Sequence, residues 1–128
     1  YDNVRNVNQL IQELEQSTLF APEKKEELLG EAYAIRAWYY FGMAKRYGGV
    51  PIIKVPQEYD ESNPSALLVN RSTEEATYEF ILEDLDNAIA MLPPTRSSRE
   101  IPNQSICRSS FEKSCHALCR FYSQIWFV

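Results

Sequence analysis

A chain of 128 residues with 24% charged side chains and a net charge of −5 is one domain or a piece of one. It carries no basic stripe able to neutralise phosphates, which excludes nucleic acid as a partner. It holds no apolar run of membrane-spanning length, and its three cysteines all fall in the tail.

Val4, Val7, Leu10, Ile11 and Leu14 recur at helical spacing, which predicts an amphipathic helix from about Asp2 to Gln16. The chain opens with Tyr1 and enters that helix at once, so we expect a fragment that has lost its start. The missing targeting segment then says nothing about where the parent protein resides. Residues Ser17 to Ala21 form a short connection. Pro22 suits the first turn of a second helix, where its missing N–H is no loss, and Glu23 favours the same end.

The second helix is expected to run to about Tyr47. Leu28, Ala32, Ile35, Tyr39 and Met43 share one face, with Leu29, Tyr33, Arg36 and Tyr40 beside it. Gly48-Gly49 stops the helix by offering a left-handed cap. Two helices joined by a short loop make a hairpin, the unit of helical-repeat folds. Val50 to Val55 then reads as extended, and the polar stretch from Gln57 to Asn70 as a long loop. Ser72-Thr73-Glu74-Glu75 fits a capping box. It opens a third helix whose apolar face is Tyr78, Ile81, Leu82, Leu85, Ala88, Ile89 and Leu92, closed by Pro93-Pro94.

The order Glu31, Ile35-Arg36-Ala37, Tyr40-Phe41, Met43, Tyr47-Gly48 and Val50-Pro51 resembles the signature of the SusD/RagB family of outer-membrane glycan-binding lipoproteins. Met43 stands where that family often has Leu. Tyr1 to Asn8, with its Tyr, Val-Arg and Asn, and Asp84-Leu85-Asp86-Asn87-Ala88 with Leu92-Pro93 also resemble family segments, so the resemblance covers residues 1–94. It implies an all-α, tetratricopeptide-like fragment of a larger domain. It also implies capture of an oligosaccharide or polysaccharide for a TonB-dependent outer-membrane transporter by a surface-exposed lipoprotein of the cell outer membrane. The implied role is binding, not catalysis, and no cofactor is implied. No family binding residue maps onto a matched position, so the ligand-binding residues stay unassigned. The alternative is a helical-repeat scaffold that binds proteins and no carbohydrate.

Residues 95–128 depart from the resemblance. Reverse-translating Ser105 to Trp126 with allowed codons and reading one base later gives AFAALALKSRAMLYAASIAKY, similar to the Ala-, Leu-, Lys- and Tyr-rich helix that the family has there. We therefore expect a frameshift between about Arg96 and Ser105.

Other chemistry is poorly supported by spacing. Cys107, Cys115, His116 and Cys119 offer zinc-preferred donors but no C-x₂-C knuckle, and the neighbours Cys115 and His116 diverge on a helix. The same divergence opposes a Cys–His catalytic pair. Asp84 and Asp86 point to different helix faces, so they do not form an acid and base pair. Glu83 and Asp86 read as solvated helix charges. The aromatics Tyr33, Trp38, Tyr39, Tyr40, Phe41 and Tyr47 surround the second helix on every side, the pattern of a buried helix. They are assigned to core packing, which leaves Tyr59 as the sole aromatic candidate in the loop. Arg36 lies amid this apolar cluster and needs a partner, expected among Glu83, Asp84 and Asp86.

Overall fold

The computed structural model describes residues 1–57, 67–93 and Ser109. Among them are three helices and no strand: α1 (Asp2–Gln16), α2 (Pro22–Tyr47) and α3 (Glu74–Met91). The 26-residue α2 is central, packing on α1 and more extensively on α3. No helix among the described residues is long and apolar enough to cross a membrane. The Cys107, Cys115, His116 and Cys119 cluster, Tyr59 and the divergent tail lie outside the described residues, Ser109 excepted.

The α1 stripe forms as its spacing dictates: Val4, Val7, Ile11 and Leu14 are buried, while Leu10 is exposed at the stripe's edge. Each such burial contributes about 1.5–3 kcal/mol. One polar residue, Asn8, is buried within the same stripe.

On α2 the buried set is Leu29, Gly30, Ala32, Ala34, Arg36, Ala37, Tyr40 and Ala44. This corrects the expected face. Leu28, Tyr39 and Met43 are only half-buried and Ile35 is exposed, because alanines let the neighbouring helices approach on a different side. Gly30 serves the same end. A Cβ there would lie 2.9 Å from the Leu92 side chain, so the end of α3 crosses directly over it.

The aromatic cluster also divides. Tyr40 is fully buried and meets Phe80 edge to face at 4.9 Å; Tyr33, Tyr39 and Phe41 pack half-buried around the core. Trp38 and Tyr47 are 66% and 65% exposed, against the expectation of core packing. Helix α2 has apolar residues all round, but α1 and α3 cover only part of its circumference.

Gly48 ends α2 at a positive φ of 70°, as a glycine stop predicts, but at ψ −130°, outside the left-handed helical region expected for the cap, and its N–H bonds to the Ala44 carbonyl. Arg71 returns from the far side of the loop to donate to the carbonyls of Gly49, at 2.6 Å, and Tyr47. The start of α3 falls one residue later than the expected capping box. Thr73 is the N-cap, its Oγ1 accepting from the Ala76 N–H at 3.1 Å. Ser72 is engaged elsewhere: its N–H donates to the Val50 carbonyl and its own carbonyl packs against Gly49.

Candidate functional site

Residues 50–56 run as a strap across the helices and pair with no strand among the described residues. Side chains from all three helices hold its backbone. The Tyr1 hydroxyl, at the α1 N-cap, donates to the Pro51 carbonyl at 3.0 Å. Asn8 Nδ2 donates to the Ile53 carbonyl at 2.7 Å. The Tyr40 hydroxyl accepts from the Ile53 N–H at 2.8 Å and donates to the Ile53 carbonyl at 3.4 Å. From α3, Thr77 Oγ1 accepts from the Val50 N–H at 3.3 Å while donating to the Thr73 carbonyl at 2.8 Å. Buried backbone groups need such partners when no ladder supplies them.

Beneath the strap lies Arg36, 5% exposed. Its Nε and Nη2 donate to the two Asp84 carboxylate oxygens at 2.8 and 2.7 Å, a bidentate pair. Nη1 donates to Asn8 Oδ1 at 2.9 Å and to the Lys54 carbonyl at 3.3 Å. The guanidinium lies 5.2 Å from the ring centroids of both Tyr33 and Phe80. The expected carboxylate partner on the third helix is therefore Asp84, 1% exposed. Glu83 instead pairs with Lys54 at 2.9 Å on the surface, and Asp86 is exposed. Burial pushes the Asp84 carboxyl above its ordinary range, and Arg36 pulls it partly back. Burial opposes charge on Arg36 too, but the hydrogen bonds and charge of Asp84 outweigh it and hold the guanidinium protonated.

This network joins residues from α1, α2, α3 and the strap, and four of the five Arg36 N–H groups find acceptors within it. Its chemistry, among the described residues, is that of a structural latch. Asn8 and Thr77 are the members that the sequence reading missed. Each is a polar residue lodged in an apolar helical stripe, which is the signal that marks them.

Beside the latch, an open cleft of about 490 Å³ separates α1 from α3. Its floor is Tyr33, Arg36 and Phe80, and its rim on the strap is Lys54, Val55 and Pro56. Gln12, Glu15 and Gln16 form the α1 wall, and Glu83 and Asn87 the α3 wall. Burial, then the nearby Glu15 carboxylate, raises the Tyr33 hydroxyl above its ordinary pKa. A smaller pocket of about 110 Å³ lies between Tyr1, Val4, Arg5 and the strap. Among the described residues no group of three His, Cys, Asp or Glu could hold a metal ion.

Helical hairpins latched by a buried ion pair define an all-α, tetratricopeptide-like scaffold. A family model, SusD-like, described as starch-binding and associating with the outer membrane, matches residues 1–113. The chain belongs to this family. It is 29% identical over 83 residues to SusD-like protein P2 of Formosa agariphila, covering 64% of this chain and 16% of that protein. Among solved structures, a SusD-like protein from Bacteroides fragilis shares 33% identity with a TM-score of 0.77, covering 87% of this chain and 21% of the other. A laminarin-binding SusD-like protein shares 26% identity with a TM-score of 0.79, covering 89% and 24%. The chain thus spans between about a sixth and a quarter of the length of these relatives.

Proposed function

We propose that this chain is the helical scaffold segment of a surface-exposed outer-membrane lipoprotein that captures oligosaccharides and hands them to a TonB-dependent transporter, without catalysis. The observation that carries the reading is the family match over residues 1–113 to a group described as starch-binding and outer-membrane-associated. A laminarin-binding relative with the same helical arrangement supports a glucan-type polysaccharide as ligand. The described residues supply framework: their buried polar groups hold one another and the strap. Most of the glycan surface is therefore assigned to the larger part of the parent protein.

The rival reading, a helical-repeat scaffold for protein partners, loses support from the strap. The chain's own residues 50–56 already lie against all three helices, held through their backbone, where an extended peptide would bind. We also propose that residues 1–94 form the family segment and that 95–128 derive from a shifted reading frame, on the codon argument above, although the family match itself runs on to residue 113.

The test is affinity electrophoresis of the full-length parent protein through gels containing neutral polysaccharides, starch and laminarin among them. Retardation by at least one is expected, with co-purification of an outer-membrane transporter. Free migration through every gel would overturn the glycan reading.

A further inference from the structure

We infer that the open cleft between α1 and α3 is a low-affinity subsite for one or two rings of a neutral saccharide. The inference rests on the glycan-binding reading above and assigns it a place on this chain.

The volume of about 490 Å³ lies within the range of about 300–1,000 Å³ usual for small-molecule sites. The character of the walls narrows the ligand. Gln12 and Gln16 stand one helical turn apart on α1, continuing the line of Asn8 at i, i+4 and i+8, and Asn87 faces them from α3. Each carboxamide offers donors and an acceptor. Vicinal sugar hydroxyls both give and accept hydrogen bonds, so paired amides match them. Glu15 and Glu83 add acceptors at the rim.

Charge excludes acidic ligands. The lining contains two cations, and both are already matched: Arg36 to Asp84 and Lys54 to Glu83. Glu15 remains on the wall, so a uronate or sulfate would meet repulsion rather than a counter-ion. Two further features fit a sugar. Val55 is 67% exposed at the rim beside Pro56, an apolar step for the C–H face of a ring. On the floor, Arg36 lines the cleft, and four of its five N–H groups have acceptors among the described residues, which leaves one Nη2 donor for a hydroxyl to match.

The cleft is open along one side, and the rings on its floor already meet cations, Phe80 with Arg36 and Lys54 and Tyr33 with Arg36. Binding is therefore weak, with a Kd of about 1 mM.

The test is a titration of the isotope-labelled 128-residue chain with neutral hexasaccharides of the malto-, laminari-, cello- and xylo- series, followed by nuclear magnetic resonance. Saturable shifts of the side-chain amides of Gln12, Gln16 and Asn87 and of the backbone amides of residues 53–56 are expected with at least one series. The triple variant Gln12→Ala, Gln16→Ala, Asn87→Ala alters side chains outside the core, so its remaining spectrum should match the parent's while affinity falls by roughly tenfold or more. Oligogalacturonate should leave these signals unmoved. The inference is overturned if no series gives saturable shifts up to about 50 mM. It is likewise overturned if the shifts fall elsewhere and survive the triple variant, which leaves the glycan reading standing. A peptide of residues 50–57 that moves the amides where saccharides do not would reassign the cleft to extended polypeptide.

Discussion

Arg36 grips Asp84 through two N–H donors at 2.8 and 2.7 Å, across 48 positions of sequence and with both side chains out of solvent. Taking two charges out of water is costly, and their attraction offsets that cost only when geometry is good and the remaining donors are satisfied. Here Asn8 and the Lys54 carbonyl supply the further acceptors. The pair is therefore worth less than its distance suggests, yet either half alone is a heavy burden. We expect Arg36→Met and Asp84→Asn each to destabilise the fold by about 3–5 kcal/mol. The double variant Arg36→Met, Asp84→Asn should lose much less than the two single losses combined. Urea unfolding of the four proteins checks this, and additive losses would disprove the coupling.

Tyr40 links the buried helix to the strap, and its ionisation gives a pH dependence. Burial, opposed in part by its hydrogen bond with Ile53, raises its pKa above 10.0. The unfolded chain therefore loses the phenol proton first. The contribution to stability is complete below pH 10.0 and is lost as pH rises from there through the folded-state pKa. Tyr1, Tyr33 and Tyr78 are raised in the same direction, so their losses add. Unfolding free energy should fall as pH rises above 10.0, by a smaller margin in Tyr40→Phe. That variant should also speed hydrogen exchange at the Ile53 amide, which loses its acceptor.

Much of this architecture is legible in the residues. The α1 stripe, the Gly48 stop and the need of Arg36 for a third-helix carboxylate follow from spacing and from the cost of a bare buried charge. What spacing does not carry is which side of α2 meets its neighbours. That helix is apolar all round, so its face is chosen by alanines and Gly30, through contacts with Leu92 more than sixty positions away. Asn8 and Thr77 are visible as polar interruptions of apolar stripes, but their partners belong to the strap, whose path no local pattern fixes. The cleft is invisible for the same reason. Its walls lie on two helices separated by the whole of α2.

Trp38 shows the consequence. It lies in the densest aromatic run and yet is 66% exposed. Trp38→Ala should change stability by no more than about 0.5 kcal/mol. Tyr40→Ala, at the fully buried position two residues on, should cost about 3–5 kcal/mol. Denaturant midpoints compare the two directly, and a large loss at Trp38 would mean that the residue is covered in solution.

Two glycines of the same signature should respond in opposite ways. Gly42 lies inside α2 with nothing within 4 Å of an added Cβ, so alanine there meets no obstacle. It also removes backbone freedom from the unfolded chain, and Gly42→Ala should stabilise by about 0.5–1 kcal/mol. Gly49 sits where the chain after α2 passes the start of α3. A Cβ there would fall 2.0 Å from the Ser72 carbonyl oxygen and 2.8 Å from the Glu74 nitrogen. These are backbone atoms, which cannot rotate aside. Relief requires the strap and the α3 N-terminus to separate, breaking the bond from the Ser72 N–H to the Val50 carbonyl. Gly49→Ala should therefore cost about 2 kcal/mol or more, with increased hydrogen exchange at Ser72 and Val50. A wild-type midpoint and exchange pattern in Gly49→Ala would show that this close approach is not kept in solution.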